Sequence, residues 1–258
     1  MRRNRNRYIT SAHGSNERSD DLITIILFSE KAGHRMKSYG PTPLIKLGRR
    51  TLLDEQISAI KSVYSNFELI ICAGFDCEKI VKFVREKYSS MNIRIVENQM
   101  YHHSNCCESA RLCLNNTTND KILLCNGDLL IKTDVISLVA GKYSHVIAEA
   151  HGPSDMEIGI TVDEDGHATH FSYGIENKWS EIIFLHDSNT IETFRKIVSG
   201  TDYKTKFLFE ALNDLNKTKC QLRVVKNSQA PLIKIDNIKT YHKVRKSYEN
   251  STSKLRNV

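Results

Sequence analysis

Two aspartates stand where an α/β protein could use them for chemistry, each directly after an apolar, strand-like run. Asp128 follows KILLCN through Gly127, and Asp236 closes LIKID. Parallel sheets bind ligands outside the carboxyl ends of their strands. Carboxylates placed there suit Mg²⁺, a hard cation that also binds phosphate oxygens. A plain turn at Gly127-Asp128 and a helix N-cap at Asp236 are the structural alternatives for the same residues.

The loop after the first apolar run carries several cations. LITIILF at 22–28 has the length and β-branched content of a strand, and SEKAGHRMKSYGPTP at 29–43 follows it with Lys31, Gly33 and Arg35. Backbone N–H groups at a glycine and bidentate arginine contacts both suit phosphate. The segment therefore predicts a phosphate-binding loop, although an ordinary surface loop has the same composition.

The elements that must position these residues alternate between strand and helix in the first half of the chain. Short β-branched runs predict strands, and apolar residues at helical spacing predict helices. Thr51 and Asp54 are spaced as an N-cap pair at the start of the first helix. The predicted order is strand 22–28, helix from 51, strand 68–74, helix 77–88, strand 92–98, helix 104–115 and strand 121–131. Such alternation predicts a parallel sheet covered by helices on both faces.

The second half of the chain has a different pattern. Short strands joined by turns such as Asp165-Gly166 predict a mixed or antiparallel extension of the sheet. Helices at 188–199 and 204–216, two further strands and a basic helix from about 238 complete the order. We therefore expect the α/β class, with a Rossmann-like three-layer αβα architecture and a mostly parallel mixed sheet.

Composition and charge narrow the class of protein. The chain has 258 residues, 40% hydrophobic and 26% charged, which is typical of a globular domain. Its formal net charge is +7, but residues 1–20 carry net +3, residues 239–258 net +5 and the intervening 218 residues net −1. A neutral body argues against a nucleic-acid-binding domain. We expect a basic flexible tail at 1–20, one domain at 21–248 and a polar tail at 249–258.

Cysteine usage and hydropathy bear on the compartment. The seven cysteines are odd in number and several lie inside apolar runs, which favours free thiols in a reducing environment. The longest apolar stretch near the N-terminus is too short to span a bilayer, and the first twenty residues lack the apolar segment of a secretory signal. We expect a cytoplasmic protein with no membrane partner. The oligomeric state stays open.

Several strings, taken in order, resemble the signature of the nucleoside-triphosphate transferase (nucleotidylyltransferase) family. IILFSEKAGHRMKSYGPTPLIKLGRRTLLDEQISAI is similar to its strand, A-A-G-x-G-[ST]-R loop and P-K-P-L segment, and ELIICAGFDCEKIVKFV to its second strand and glycine turn. IRIVENQMYHHSNCCESARLCL resembles the N-P-x-Y-x-x-[ST]-N-x-x-S segment of the phosphocholine and sugar-phosphate cytidylyltransferase-like branch. LLCNGDLLI and LIKIDNIKTYHKVRK resemble the two metal-binding aspartate segments. The matches cover roughly residues 22–246.

This resemblance implies roles for individual residues. The residues at its nucleotide-binding positions are Lys31, Gly33, Arg35, Gly74, Asn105 and Ser109. Among them, Arg35 would hold the β- and γ-phosphates, and Gly74 would lie near the nucleobase. Asp128 and Asp236 would bind the cofactor Mg²⁺, and Lys178 would hold the acceptor phosphate. The implied catalytic residues are thus Arg35, Asp128 and Lys178.

The implied activity is nucleotidyl transfer on a glycosyltransferase-A-like fold. An acceptor phosphate or phosphonate oxygen would attack the α-phosphorus of a nucleoside triphosphate and expel pyrophosphate. The implied partners are the nucleoside triphosphate, with CTP favoured by the cytidylyltransferase-like segment, and a phosphorylated small molecule. Phosphocholine, a phosphonate and a sugar phosphate are all compatible acceptors.

Three positions depart from the family pattern. Lys31 stands at the first glycine of the loop, Thr42 at the lysine of P-K-P-L, and Lys234 at the glutamate of E-I-D. Because a hydroxyl cannot replace the charge of that lysine, a catalytically altered or inactive nucleotide-binding homologue is one alternative. A metal-dependent glycosyltransferase of the same fold is another, although its usual D-x-D pair reads N-G-D here.

Overall fold

A strand–helix alternation builds the fold in the computed structural model, which describes residues 22–33, 35–228 and 232–254. The predicted tail at 1–20 lies outside the described residues. The strands are β1 Ile23–Ser29, β2 Lys46–Leu47, β3 Arg50–Thr51, β4 Phe67–Ala73, β5 Ile93–Glu97, β6 Lys121–Asn126, β7 Leu129–Leu130, β8 His145–Glu149, β9 Ile158–Val162, β10 Ala168–Tyr173, β11 Asn177–His186, β12 Arg223–Asn227 and β13 Ile233–Lys234. The helices are α1 Leu52–Val63, α2 Cys77–Lys87, α3 Cys106–Leu114, α4 Thr133–Ser137, α5 Ser188–Val198, α6 Leu208–Asn216 and α7 Ile238–Lys254.

The main sheet has nine strands within the described residues. β5, β4, β1 and β6 lie side by side in that order, and each neighbouring pair is parallel. β11 runs antiparallel to β6 and also pairs with β8 and β9, while β12 and β10 lie at the outer sides of β8 and β9. The predicted α/β class with a mostly parallel mixed sheet is confirmed.

Helices cover both faces of this sheet because alternate residues of its buried strands point in opposite directions. On β1, Ile26 and Phe28 pack in a cluster that includes α3, α5 and α6. Their neighbours Ile25 and Leu27 pack in a second cluster that includes α1, α2 and α4. The continuous apolar run at 22–28 therefore belongs to a strand buried on both faces, which gives the predicted three layers.

The start of α1 follows from its sequence. The Thr51 hydroxyl accepts a hydrogen bond from the Asp54 backbone N–H at 3.1 Å, and the Asp54 carboxylate accepts one from the Thr51 N–H at 2.9 Å. The predicted N-cap pair is thus a complete capping box. Such caps typically stabilise a helix by about 1 kcal/mol.

The run predicted as one strand at 121–131 is divided in the structure. β6 ends at Asn126, and β7 leaves the main sheet to pair with β13. Gly127 makes the break, because its N–H donates to the Phe28 carbonyl at 2.8 Å and an added Cβ would lie 1.9 Å from the Ser29 hydroxyl. This contact turns the chain where β1 and β6 both end.

The start of one helix differs from the prediction, and the start of another agrees with it. α6 begins at Leu208 rather than at 204, because a short 3₁₀ helix occupies Thr201–Thr205. α7 begins at Ile238, where the basic helix was expected, and continues to Lys254. None of the helices in the described part of the chain is long and apolar enough to cross a bilayer.

A third apolar cluster joins the loop after β1 to the C-terminal part of the chain. Met36 and Ile45 from that loop pack in it with Ile235, Tyr241 and Val244. The cluster fixes β13 and α7 beside the loop that was predicted to bind phosphate. The segment that carries Asp236 is therefore positioned by packing from a distant part of the sequence.

Candidate active site

A cleft of about 740 Å³ opens at the carboxyl ends of β1 and β6. Six of the sequence-predicted residues, from five separate segments, line it. They are Lys31, Gly33, Asn105, Asp128, Lys178 and Asp236. The other three, Arg35, Gly74 and Ser109, lie outside its lining. The position agrees with the general placement of ligand sites in parallel sheets.

The two predicted metal-binding aspartates are brought together by the β7–β13 ladder. Lys234 pairs with Leu129, and the Ile235 N–H donates to the Asp128 carbonyl oxygen at 2.8 Å. Gly33 approaches the second aspartate closely, since an added Cβ would lie 2.5 Å from the Asp236 carbonyl oxygen. The predicted phosphate loop therefore lies directly against the backbone of Asp236.

Asp128 has an unusual environment for a carboxylate. Its Oδ1 atom is buried and has no hydrogen-bond partner. Burial raises the pKa of Asp128 to about 7, and the nearby carboxylates of Glu181 and Asp236 add to this effect while Lys234 opposes it. Asp128 thus has an oxygen with free bonding capacity in surroundings where a cation would favour its ionised form.

Glu181 lies in the cleft with the two aspartates because the pairing of β11 is irregular at this residue. Its φ is +59°, and the pairing of β11 with β8 shifts register between Trp179 and Ile183. Both carboxylate oxygens of Glu181 accept hydrogen bonds from the Lys234 ammonium at 2.6 Å, and one also accepts from the Asn126 amide. We call Asn126, Asp128, Glu181, Lys234 and Asp236 the carboxylate cluster.

Sequence reasoning missed Glu181. A glutamate inside WSEIIFLH, an otherwise apolar strand, is the signal that could have found it. Charged residues are rarely placed in a buried strand without a partner. The partner itself could not be read from the sequence, because Lys234 is distant along the chain and approaches only through β13.

Lys31 extends into the cleft from the end of β1. Its ammonium donates to the Asn105 side-chain oxygen at 2.8 Å, and the Asn105 amide donates to the Thr205 carbonyl at 3.1 Å. Thr42 is buried, and its hydroxyl donates to the Lys31 carbonyl oxygen at 3.3 Å. The residue at the signature-lysine position thus contacts the backbone of the lysine that does reach the cleft.

Gly74 and Ser109 lie behind the cleft and contact Glu30. An added Cβ on Gly74 would lie 2.6 Å from the Glu30 carbonyl oxygen. Burial raises the pKa of the Glu30 carboxyl, while its own backbone, a hydrogen bond with Ser109 and the charge of Lys31 act in the opposite direction. These two predicted residues thus support a carboxyl group that lines the cleft.

Arg35 lies on the same loop as Gly33 but its side chain is exposed. Its φ is +58°, a left-handed conformation that residues other than glycine adopt infrequently. The structure does not bring Arg35 together with the six residues that line the cleft.

Lys178 forms an ion pair with Glu157, and both side chains line the cleft. The Lys178 ammonium lies 2.5 Å from a Glu157 oxygen. Burial acts to raise the pKa of Glu157, but hydrogen bonds from Lys178 and Ser154 outweigh it and lower the value to about 2. Lys178 is thus held in the cleft by a carboxylate that stays ionised.

Aromatic side chains beside this ion pair form a surface that the sequence analysis did not identify. Tyr173 packs edge-on against Phe209 at 5.7 Å between ring centroids, and Phe207 stacks on Phe209 at 5.9 Å. Tyr173 is 50% exposed and Phe207 45% exposed. We call these three residues the aromatic cluster. Half-exposed rings lining a cleft are typical of a ligand-binding surface.

The carboxylate cluster fits a hard divalent cation. Asp128 and Asp236 both offer carboxylate oxygens to the cleft, and the buried Asp128 Oδ1 has no protein partner. Among the described residues, no group of three His, Cys, Asp or Glu side chains is arranged to hold a metal by itself. Mg²⁺ needs no such cage, because it commonly binds one or two carboxylates together with water and substrate phosphates.

Comparisons with known proteins support the fold. No protein-family model and no curated protein matches the chain. Among solved structures, LicC, the CTP:phosphocholine cytidylyltransferase of Streptococcus pneumoniae, is 16% identical with a TM-score of 0.70, covering 87% of this chain and 98% of its own. The inositol-1-phosphate CTP transferase of T. maritima is 14% identical with a TM-score of 0.66, and the match covers 88% of this chain and 96% of the transferase. A UDP-glucose pyrophosphorylase bound to UDP-glucose is 12% identical with a TM-score of 0.71, covering 90% and 100%.

These neighbours cover nearly the whole described fold. At the level of the fold they confirm the resemblance to nucleotidyltransferases that the sequence motifs indicated. The class that the architecture defines is therefore the glycosyltransferase-A-like nucleotidyltransferase fold.

Proposed function

We propose that this protein is a nucleotidyltransferase that moves a nucleoside monophosphate from a nucleoside triphosphate onto a phosphorylated small molecule and releases pyrophosphate. The observation that carries the proposal is the convergence of six motif-derived residues, from five segments, on one cleft. Solved nucleotidyltransferases of the same fold act on phosphocholine and inositol phosphate according to their names, which supports acceptors of this kind.

In this proposal the triphosphate lies against the loop after β1. Lys31 supplies a positive charge at a site fixed by Asn105, and backbone N–H groups around Gly33 donate to phosphate oxygens. Arg35, on the same loop, is assigned to the β- and γ-phosphates. CTP is the preferred nucleotide, on the strength of the cytidylyltransferase-like segment around Asn105.

The acceptor phosphate is assigned to Lys178, beside the aromatic cluster. Because a phosphate is already ionised at pH 7, no general base has to remove a proton before it attacks. Lys178 therefore binds and orients the nucleophile, which is the main requirement for an in-line displacement. Mg²⁺ at Asp128 and Asp236 would neutralise charge on the α-phosphate and help to orient the attack.

A screen of substrates tests the proposal. The purified protein is incubated with each of the four nucleoside triphosphates, Mg²⁺ and either phosphocholine, a phosphonate or a sugar 1-phosphate, and pyrophosphate release is measured. We expect release that requires both nucleotide and acceptor, with CTP fastest. Mg²⁺-dependent nucleotide binding without pyrophosphate release from any pair would instead identify an inactive homologue. Glycosyl transfer from a nucleotide sugar would identify a glycosyltransferase.

The buried hydroxyl of Thr42 favours a slower variant of this chemistry, because it places no charge where the family signature has lysine. Loss of one preorganised charge typically lowers a rate by about 10²–10³-fold. We expect Thr42→Lys to raise kcat, and the isosteric control Thr42→Val to leave it low. No gain in Thr42→Lys, with nucleotide still bound, would indicate that Lys31 already fills that role.

The remaining assignments concern cofactor and compartment. We assign Mg²⁺ as the cofactor because the available donors are carboxylate oxygens. All seven cysteines are free, which supports a reducing compartment such as the cytoplasm.

A further inference from the structure

Lys234 occupies a position inside the carboxylate cluster that is set by backbone pairing. It lies on β13 opposite Leu129, the residue that follows Asp128, and it precedes Asp236 by two residues. The side chains of Asp128, Lys234 and Asp236 all line the cleft. Lys234 is therefore held close to both proposed metal ligands.

Glu181 is turned toward Lys234 by its left-handed backbone. Its carboxylate oxygens each lie 2.6 Å from the Lys234 ammonium, and the Asn126 amide also donates to it. Both oxygens of Glu181 thus already accept hydrogen bonds from protein groups. Asp128 differs, because its buried Oδ1 accepts no hydrogen bond.

The Lys234 ammonium lies among the three carboxylates of the carboxylate cluster, those of Asp128, Glu181 and Asp236. It forms a salt bridge with Glu181 at 2.6 Å and lines the same cleft as Asp128 and Asp236. The side chain therefore stays charged across the physiological range. Three carboxylates and one ammonium have a formal charge of −2, which a single divalent cation balances.

We propose that the Lys234 ammonium neutralises Glu181 and so leaves the carboxylate cluster with charge for one divalent cation. That cation would bind at Asp128 and Asp236. The inference rests on the proposed function, because it takes these two aspartates as the metal ligands. It deepens that function by making Lys234 a positioning residue that tunes metal affinity without touching substrate.

Binding of Mn²⁺ alone, followed by electron paramagnetic resonance without nucleotide, tests the inference. We expect wild-type protein to bind one Mn²⁺ and Asp128→Ala to bind none. Lys234→Met should bind Mn²⁺ on the order of tenfold more tightly, or bind a second ion, because a cation beside the metal has been removed. Lys234→Arg, which keeps the charge, should retain wild-type affinity.

Lys217→Met is the matched control, since Lys217 also pairs with a carboxylate, that of Asp214, but lies outside the cleft lining. We expect its Mn²⁺ affinity to equal that of the wild type. Thermal unfolding confirms that each variant is folded, and Glu181→Gln provides a second test, because freeing Lys234 from its partner should weaken Mn²⁺ binding.

Unchanged or weaker Mn²⁺ binding in folded Lys234→Met would overturn the inference, as would the absence of binding in both this variant and the wild type. The metal measurement is independent of turnover. If Lys234→Met binds Mn²⁺ more tightly than the wild type but no substrate pair releases pyrophosphate, only the transferase proposal fails. If the wild type releases pyrophosphate but Lys234→Met does not bind Mn²⁺ more tightly, only the role proposed for Lys234 fails.

Discussion

The carboxylate cluster and the aromatic cluster line one cleft, and each has a lysine–glutamate pair beside it. Lys234–Glu181 lies next to two further carboxylates, one with an unpartnered buried oxygen. Lys178–Glu157 instead lies beside exposed rings, and Glu157 is 40% exposed. The Lys234–Glu181 pair lowers the net negative charge of the carboxylate cluster. The Lys178–Glu157 pair instead holds the Lys178 ammonium at a partly solvated surface. The same ion pair thus has different consequences in the two surroundings.

The largest expected effect comes from removing the unpartnered carboxylate. Asp128→Ala should lower kcat/KM by about 10³-fold or more, because the proposed metal site loses one of its two aspartate ligands. The measurement is pyrophosphate release with the best substrate pair. Asp202→Ala, an exposed carboxylate outside the cleft lining, is the control and should leave the rate unchanged. A wild-type rate in Asp128→Ala would remove the metal role from this cluster.

The pH dependence of stability should have opposite signs at the two sites. The folded-state pKa of Asp128 is raised to about 7, from an unperturbed 3.8, so its contribution is most favourable below pH 3.8 and is lost as the pH rises through 7. Without divalent cations, Asp128→Asn should therefore raise the free energy of unfolding at pH 8, by at most about 4 kcal/mol. It should have little effect near pH 3.5.

Glu157 should behave in the opposite way. Its folded-state pKa is about 2, below the unperturbed 4.5, so its stabilising contribution is full above pH 4.5 and lost as the pH falls toward 2. Because the side chain is partly exposed, Glu157→Gln should cost no more than about 1 kcal/mol at pH 7. Urea unfolding across this pH range measures both variants. The same sign at both sites would contradict the contrast drawn between them.

A smaller effect is expected at the lysine of the second pair. Lys178→Met should raise the KM for the acceptor by roughly tenfold and change the KM for the nucleoside triphosphate little, because one charged contact to the acceptor phosphate is lost. Lys31→Met provides the comparison, since its effect should fall on the nucleotide. Steady-state kinetics with each substrate varied in turn separates the two. If Lys178→Met changed only the KM for the nucleoside triphosphate, Lys178 would have to be assigned to the nucleotide and not to the acceptor.

The smallest effect is expected for the aromatic cluster. Phe207→Ala should raise the acceptor KM by roughly threefold to tenfold through lost apolar contact. Since the ring is 45% exposed, the melting temperature should fall by only a few degrees. Phe171→Ala, which removes a fully buried ring that packs on Trp179, is expected to destabilise the protein far more. Equal losses of stability in both variants would indicate that Phe207 belongs to the core.

Much of the fold could be predicted from local patterns. The apolar run at 22–28 predicted a buried strand, and Thr51 with Asp54 predicted the start of α1, because periodicity and capping act within a few residues. The run at 121–131 was wrongly predicted as one strand. The sequence did indicate a turn at Gly127-Asp128, but the pairing of β7 with β13 after the turn depends on residues far away in the chain.

The candidate site was predictable to a different degree at each cluster. Asp128 and Asp236 could be found because each follows an apolar run, but Asp236 reaches the cleft through the antiparallel β7–β13 ladder and not through the parallel sheet. The aromatic cluster could not, because Tyr173, Phe207 and Phe209 come from β10 and the start of α6 and meet only through packing. Arg35 stays a prediction, since its side chain lies outside the cleft lining.

The sequence by itself determined the order of the longer strands and helices, although not β2, β3, β7 or α4. It also marked Gly33, Asp128 and Asp236 as candidate residues, because periodicity and the residues that follow strands are short-range features. Only the tertiary structure decided that Glu181 turns into the cleft and that Lys234 pairs with it. That choice depends on the register shift in β11 and on the β7–β13 ladder, which form between segments far apart in the chain. Long-range pairing, rather than residue type, therefore set the charge at the centre of the cleft.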